Sequence, residues 1–156
     1  GADGLSEIIH NMQKNLFIIQ AELAGGGKTI EEIKVKELEK IIDLIEKELP
    51  PIKSFFISGG PADITKWQQG GAGLGAIFDI ARTIARRAER RVVAVSEEMA
   101  QPPLSSNTKP ASAKAMAGEV SKQTMAYLNR LSSALYALAR YSNHKVGIME
   151  EAPDYR

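Results

Sequence analysis

The stretch that decides the fold is GAIFDIARTIARRAERRVVAVSEEMA, residues 75–100. Ile77, Ile80, Ala81, Ile84, Ala88, Val92 and Val95 return every three or four residues, the period of one helical face. Its middle, IARTIARRAERR (80–91), sets five arginines and one glutamate among Ile, Ala and Thr. With the core direction drawn along Ile77, Ile84, Ala88 and Val95, a turn of about 100° per residue puts Arg82, Arg86 and Glu89 together on the opposite side, with Arg90 flanking them. Lysine would serve for solubility alone. Arginine's planar fork is suited to bidentate phosphate binding, and the interleaved alanines let another surface come close. A solvated face, a nucleic-acid stripe and the wall of a polyanion site are the three readings this leaves.

The remaining elements follow outward from this helix. Leu5, Ile8, Ile9, Met12, Leu16, Ile19 and Leu23 mark a first helix over about residues 3–24, stopped by Gly25, Gly26 and Gly27. Thr29 and Glu32 form a capping box for a second helix that carries Ile33, Leu38, Ile41, Ile42, Ile45 and Leu49 inward and ends at Pro50 and Pro51. KSFFISGG and PADITKWQQGG (53–71) form an apolar run closed by glycines and then a turn-rich loop, and QPPLSSNTKPAS (101–112) is a surface connection. A fourth helix over about residues 113–143 turns Met116, Val120, Tyr127, Leu128, Leu131, Leu135 and Leu138 inward. Asn129, Ser133, Tyr136, Arg140 and Asn143 share its nearly opposite face. No strand pattern competes, so the expectation is an all-α bundle of four to five helices.

Composition narrows the function. The 156 residues suit one domain with a continuous core, burying roughly 68–70% of the unfolded surface. A net charge of +1 argues against wholesale nucleic-acid binding, so basic character must be local. No cysteine is present, which excludes disulfides and thiolate metal sites, and His10 and His144 are too far apart in sequence to suggest a helical metal pair. No apolar run is long enough to span a bilayer, and the expectation is a cytoplasmic protein with no membrane partner. AGGGKT (24–29) imitates a phosphate loop, but the first glycine of that motif would have to stand at Glu22 and no strand precedes it. The pairs Glu31/Glu32, Glu97/Glu98 and Glu150/Glu151 point about 100° apart on a helix, so each offers at most one ligand to any site.

Two segments carry a family resemblance. ARTIARRAERR resembles the signature helix of the PduO-type ATP:cob(I)alamin adenosyltransferases, and YLNRLSSALYALARYSN resembles their second signature. PPIKSFFISGG is similar to the segment that precedes the signature helix, NLFIIQAELA to the family's LF-x-IGAELA helix, and DGLSEII to its DELNSFI. The resemblance implies a trimer of ferritin-like, up-and-down helical bundles with ATP and cobalamin bound between subunits. The corrinoid, held as four-coordinate cobalt(II), is reduced to cobalt(I) and attacks the 5′ carbon of ATP, giving adenosylcobalamin and triphosphate. Magnesium with ATP, a flavin reductase and an adenosylcobalamin-dependent enzyme are the further partners implied. By the same matching, Arg86, Arg87, Glu89, Arg90 and Asn129 contact ATP; Arg82, Arg86 and Asp3 serve catalysis, with Arg86 pairing to Asp3; and Phe55 and Tyr136 pack at the lower face of the corrinoid. The family usually has Phe where this chain has Tyr136.

The chain also departs from that pattern. The family's TGDxGxT phosphate-binding segment is absent from residues 1–156, and the expectation is a single adenosyltransferase-like domain without it. The segment 59–71 reads as an insertion, and the connection over 100–112 is longer than usual. The alternative to catalysis is a module of the same fold that delivers or senses adenosylcobalamin.

Overall fold

The structure, a computed structural model, describes residues 2–53, 56–57, 71–100, 120–148 and 152–154, of which 2, 3, 71, 72, 99 and 100 are described by backbone alone. Its regular elements are α1 (Ala2–Leu23), α2 (Glu32–Glu48), α3 (Gly71–Ala100) and α4 (Lys122–Lys145). Among the described residues there is no strand, so the all-α expectation holds. The chain divides into two units, Gly1–Lys36 with Ala88–Asn129, and Glu37–Arg87 with Arg130–Arg156.

In the first unit, α1 buries Met12, Asn15, Ile19 and Glu22, while Ile30, Val35, Val120, Thr124, Tyr127 and Leu128 are buried beside it in sequence-distant positions. Two polar members of this core are paired: Asn15 Nδ2 donates to the Tyr127 hydroxyl at 3.1 Å. AGGGKT is a helix stop, as its sequence indicates. Gly25 takes φ of 82°, its N–H reaches Glu22 O at 2.9 Å, and Gly26 N–H reaches Ala21 O at 2.8 Å, which together close a Schellman turn.

Glu22 does more than precede that turn. It is 7% exposed, yet its carboxylate accepts the Ser121 N–H at 2.7 Å and the Thr124 hydroxyl at 2.7 Å. Burial by itself would push this carboxyl up. The Ser121 N–H, the Thr124 and Ser121 hydroxyls and the Ile30 N–H outweigh burial and hold it below its ordinary value of 4.5. One buried anion thus satisfies the first turn of α4, where Ser121 Oγ also caps the Thr124 N–H at 3.1 Å. These bonds explain two shifted boundaries. Residue 30 is drawn toward Glu22, so α2 begins at Glu32 instead of directly after Thr29. With Ser121 as its cap, α4 begins at Lys122 rather than near residue 113; the expected residues 113–119, Met116 included, lie outside the described residues.

The second unit buries Leu38, Ile45, Leu49, Phe78, Ala85, Leu131, Leu135 and Leu138 with a run of small residues, Ala134, Ala137 and Ala139. Lys145 Nζ meets Glu48 Oε2 at 3.0 Å and Arg130 Nε meets Glu39 Oε1 at 3.1 Å, both at exposed positions where such pairs contribute little. The backbone of α4 ends in the same type of turn as α1, with Ile148 N–H donating to Asn143 O at 2.9 Å.

Three assignments of inward residues are corrected. Ile33 is 46% exposed because Val35 and Leu38 occupy the buried face of α2, and Leu23 is exposed because Glu22 takes the inward place at the end of α1. The largest correction concerns α3. Ile77, Ile80 and Ile84 are each 61% exposed and Val95 is 47% exposed, whereas Phe78 and Ala85 are buried and Arg82 and Glu89 half-buried. The face expected to be the core points away from the chain, and the face holding Arg82 and Glu89 points into it.

Glu22→Gln keeps the volume but aims an amide N–H₂ group at hydrogen-bond donors, which should cost about 1–3 kcal/mol of stability near neutral pH. Because the folded carboxyl lies below 4.5, the native bonds contribute fully above that pH and fade as pH falls through the folded value. Thermal melts from pH 7 to pH 3 should therefore converge for wild type and Glu22→Gln in acid, and parallel melts across that range would show that Glu22 does not carry this energy.

Candidate functional site

The residues expected to act on ATP and the corrinoid fall into two local arrangements, one in each unit. In the first unit, Asn129 Nδ2 on α4 donates to Glu89 Oε1 on α3 at 2.7 Å. The two signature segments therefore meet at the two residues expected to share a ligand. Because the glutamate accepts from the amide nitrogen, it fixes which way the Asn129 amide faces. Arg90, beside Glu89 on α3, is exposed, as is Arg87 of the second unit.

In the second unit, the Arg82 guanidinium lies over the Tyr136 ring, 5.1 Å from its centroid. Arg82 and Tyr136 are half-buried, and this stacking is a cation–π contact. Arg86, one turn further along α3, is exposed. An exposed arginine is able to bind phosphate through forked hydrogen bonds.

The backbone of Asp3 belongs to α1, but its side chain lies outside the described residues, as does all of Phe55 and most of the segment 59–71. Among the described residues, no three His, Asp or Glu side chains cluster as metal ligands. No helix among them is long and apolar enough to cross a membrane.

Reading the sequence missed the part played by Arg140, which is only 5% exposed. Its Nη2 donates to the Pro50 carbonyl at 2.8 Å, and its guanidinium lies 5.7 Å from the centroid of Phe56. The sequence placed Arg140 at four-residue spacing from Tyr136 on one helix face, but it carries no signal that links this arginine to Pro50, 90 positions away. Asn143, one turn later, is also buried, and its Oδ1 has no hydrogen-bond partner among the described residues. It abuts Gly75 on α3, where an added Cβ would come within 2.8 Å of Asn143 Cγ.

Gly75→Ala should therefore destabilise the protein despite alanine's better helix propensity. Overpacking of about 1–3 kcal/mol exceeds a propensity gain of up to about 1 kcal/mol. A melting temperature lowered by about 2–8 °C is the expected reading; an unchanged melt would mean that Asn143 swings aside at no cost.

The described residues thus form helices of which one, rich in arginine, is hydrogen-bonded to a second polar one. The chain belongs to the cobalamin adenosyltransferase family, whose sequence model matches residues 1–142. It is 31% identical over 145 residues to the corrinoid adenosyltransferase PduO of Citrobacter freundii, covering 88% of this chain and 34% of that protein. It is 30% identical over 152 residues to the corrinoid adenosyltransferase of Bacillus subtilis, covering 95% of this chain and 63% of that one. The chain thus spans about a third of the first relative's length and under two thirds of the second's. In fold it resembles a variant of the PduO-type ATP:corrinoid adenosyltransferase of Lactobacillus reuteri complexed with cobalamin and ATP. That match has a TM-score of 0.71 at 23% identity and covers 96% of this chain and 70% of that one.

Proposed function

We propose that this chain is a single adenosyltransferase domain that transfers the 5′-deoxyadenosyl group of ATP to cob(I)alamin, releasing triphosphate. The observation that carries the reading is the 2.7 Å bond between Glu89 and Asn129, which joins the two segments whose sequences bear the family resemblance. Family membership and the names of the relatives, which are corrinoid adenosyltransferases, support it.

Reduced cobalt is itself the nucleophile, so the protein need supply none; its task is to hold the reactants in line and stabilise the triphosphate as it leaves. Arg86, Arg87 and Arg90 are exposed and take the phosphates, with magnesium bound mainly by those phosphates and water. Glu89 and Asn129 orient the nucleoside. Tyr136 and Phe55 form one wall of the corrinoid site, and Arg82 and Asp3 serve catalysis with Arg86 as their counterparts in the family do. A dry aromatic wall disfavours an axial water on cobalt and so eases its reduction, for which a flavin reductase supplies the electron.

The exposed stripe of Ile77, Ile80, Ile84 and Val95 supports a homotrimer of ferritin-like bundles, since burying such side chains against a neighbouring copy removes apolar surface from water at about 25 cal/mol per Å². In a trimer the same helix would turn one face to its own chain and the other to a neighbour.

Titration calorimetry with ATP and then cobalamin tests the reading, and a protein that takes up neither is not an adenosyltransferase. Arg86→Ala should lower adenosyl transfer at least about a hundredfold, the usual cost of one preorganised charge donor, and unchanged turnover would remove Arg86 from the reaction. Replacing Ile80 and Ile84 together by Glu should convert the trimer to monomer in sedimentation velocity; a persistent trimer would place the subunit contact elsewhere.

A further inference from the structure

Arg140 is a nearly fully buried cation, so its charge must be compensated by what it holds. It holds both sides of one connection. Its Nη2–H donates to Pro50 O, at the point where α2 has ended and the prolines supply no N–H of their own. Its guanidinium carbon lies over the ring of Phe56, six residues further on, 5.7 Å from the centroid. Only a planar, multi-donor group can donate in its plane and stack across it at once; a lysine could do one or the other.

Arg140 also stands one turn from Tyr136 on α4, and Tyr136 in turn receives Arg82 on its ring. Arg82, Tyr136, Arg140 and Phe56, all within the second unit, thus form an alternation of guanidinium and ring. We propose that Arg140 is the positioning residue of the corrinoid site: by clamping Pro50 and Phe56 to the helix that carries Tyr136, it sets the spacing of the aromatic wall on which cobalamin lies. This role rests on the adenosyltransferase reading. Arg140 touches neither the phosphates nor the cobalt, and it acts on the corrinoid alone.

The test compares wild type with Arg140→Met, Arg140→Lys and Phe56→Leu, using cob(II)alamin with ATP present and reading the absorbance and electron paramagnetic resonance signals of four-coordinate cobalt. The KM of each substrate is measured alongside. Arg140→Met should lower the four-coordinate fraction, or raise the KM for cobalamin, by about tenfold or more while leaving ATP affinity within about threefold. Arg140→Lys should recover part of the loss, because it restores the donor but not the stacking. Phe56→Leu, which leaves the buried charge in place, should show the same cobalamin-selective defect if Arg140→Met fails to fold. Undiminished four-coordinate cobalt together with an unchanged KM for cobalamin in the Phe56 and Arg140 variants, or equal losses toward ATP and cobalamin, would overturn the proposal. If wild type itself gives no four-coordinate signal and no turnover, the adenosyltransferase reading falls and takes this role with it; a wild type that responds, with variants responding as fully, removes Arg140 alone.

Discussion

A helix buried around most of its circumference has nowhere to send a polar side chain, and α4 carries several. From Leu131 to Asn143, Ser132, Arg140, Ser142 and Asn143 are all buried with the leucines and alanines. Each such group costs free energy unless its hydrogen bonds are made. Ser142 meets the requirement within the helix, donating to Leu138 O at 2.8 Å, and Arg140 meets it by gripping Pro50. The N-terminal turn meets it through Glu22, an anion brought from about a hundred positions away in the chain. What surrounds α4 is therefore constrained by chemistry as well as by apolar area.

The same constraint explains why small residues are so frequent. Ala134, Ala137 and Ala139 are buried, and Gly75 on α3 leaves room for Asn143. Bulkier side chains at these places would hold neighbouring segments of the second unit too far away for a bond such as the 2.8 Å one from Arg140 to Pro50 to form. Close approach then brings functional groups into contact, Glu89 with Asn129 and Arg82 with Tyr136. The site depends on the packing, because neither pair is local in sequence.

On α3 two apolar or partly apolar faces run the length of one helix. One carries Phe78, Ala85 and the half-buried Arg82 and Glu89; the other carries Ile77, Ile80, Ile84 and Val95. A monomer can bury only one. The more apolar face is left outside, an arrangement that a solitary chain would not favour and that association with another copy would.

Much of this was legible in the residues alone. The period of three to four marked every helix, the glycines and prolines marked their ends, and the composition of ARTIARRAERR pointed to arginines chosen for their fork. The buried leucines of α4 were also legible from their spacing of three to four residues. What periodicity cannot do is name the neighbour that each apolar face meets. It ranked the isoleucine face of α3 as the core because that face is the more apolar, and the structure instead buries Phe78 and Ala85. Nor could it link Glu22 to Ser121 or Arg140 to Pro50, because a hydrogen bond between distant residues depends on the path of the chain and leaves no spacing behind. The sequence by itself determined the helices and their glycine and proline stops, which follow from local backbone preference, and it marked the candidate arginines. The tertiary structure alone decided which face is inside and which polar partners meet, because those follow from which sequence-distant segments pack together within each unit.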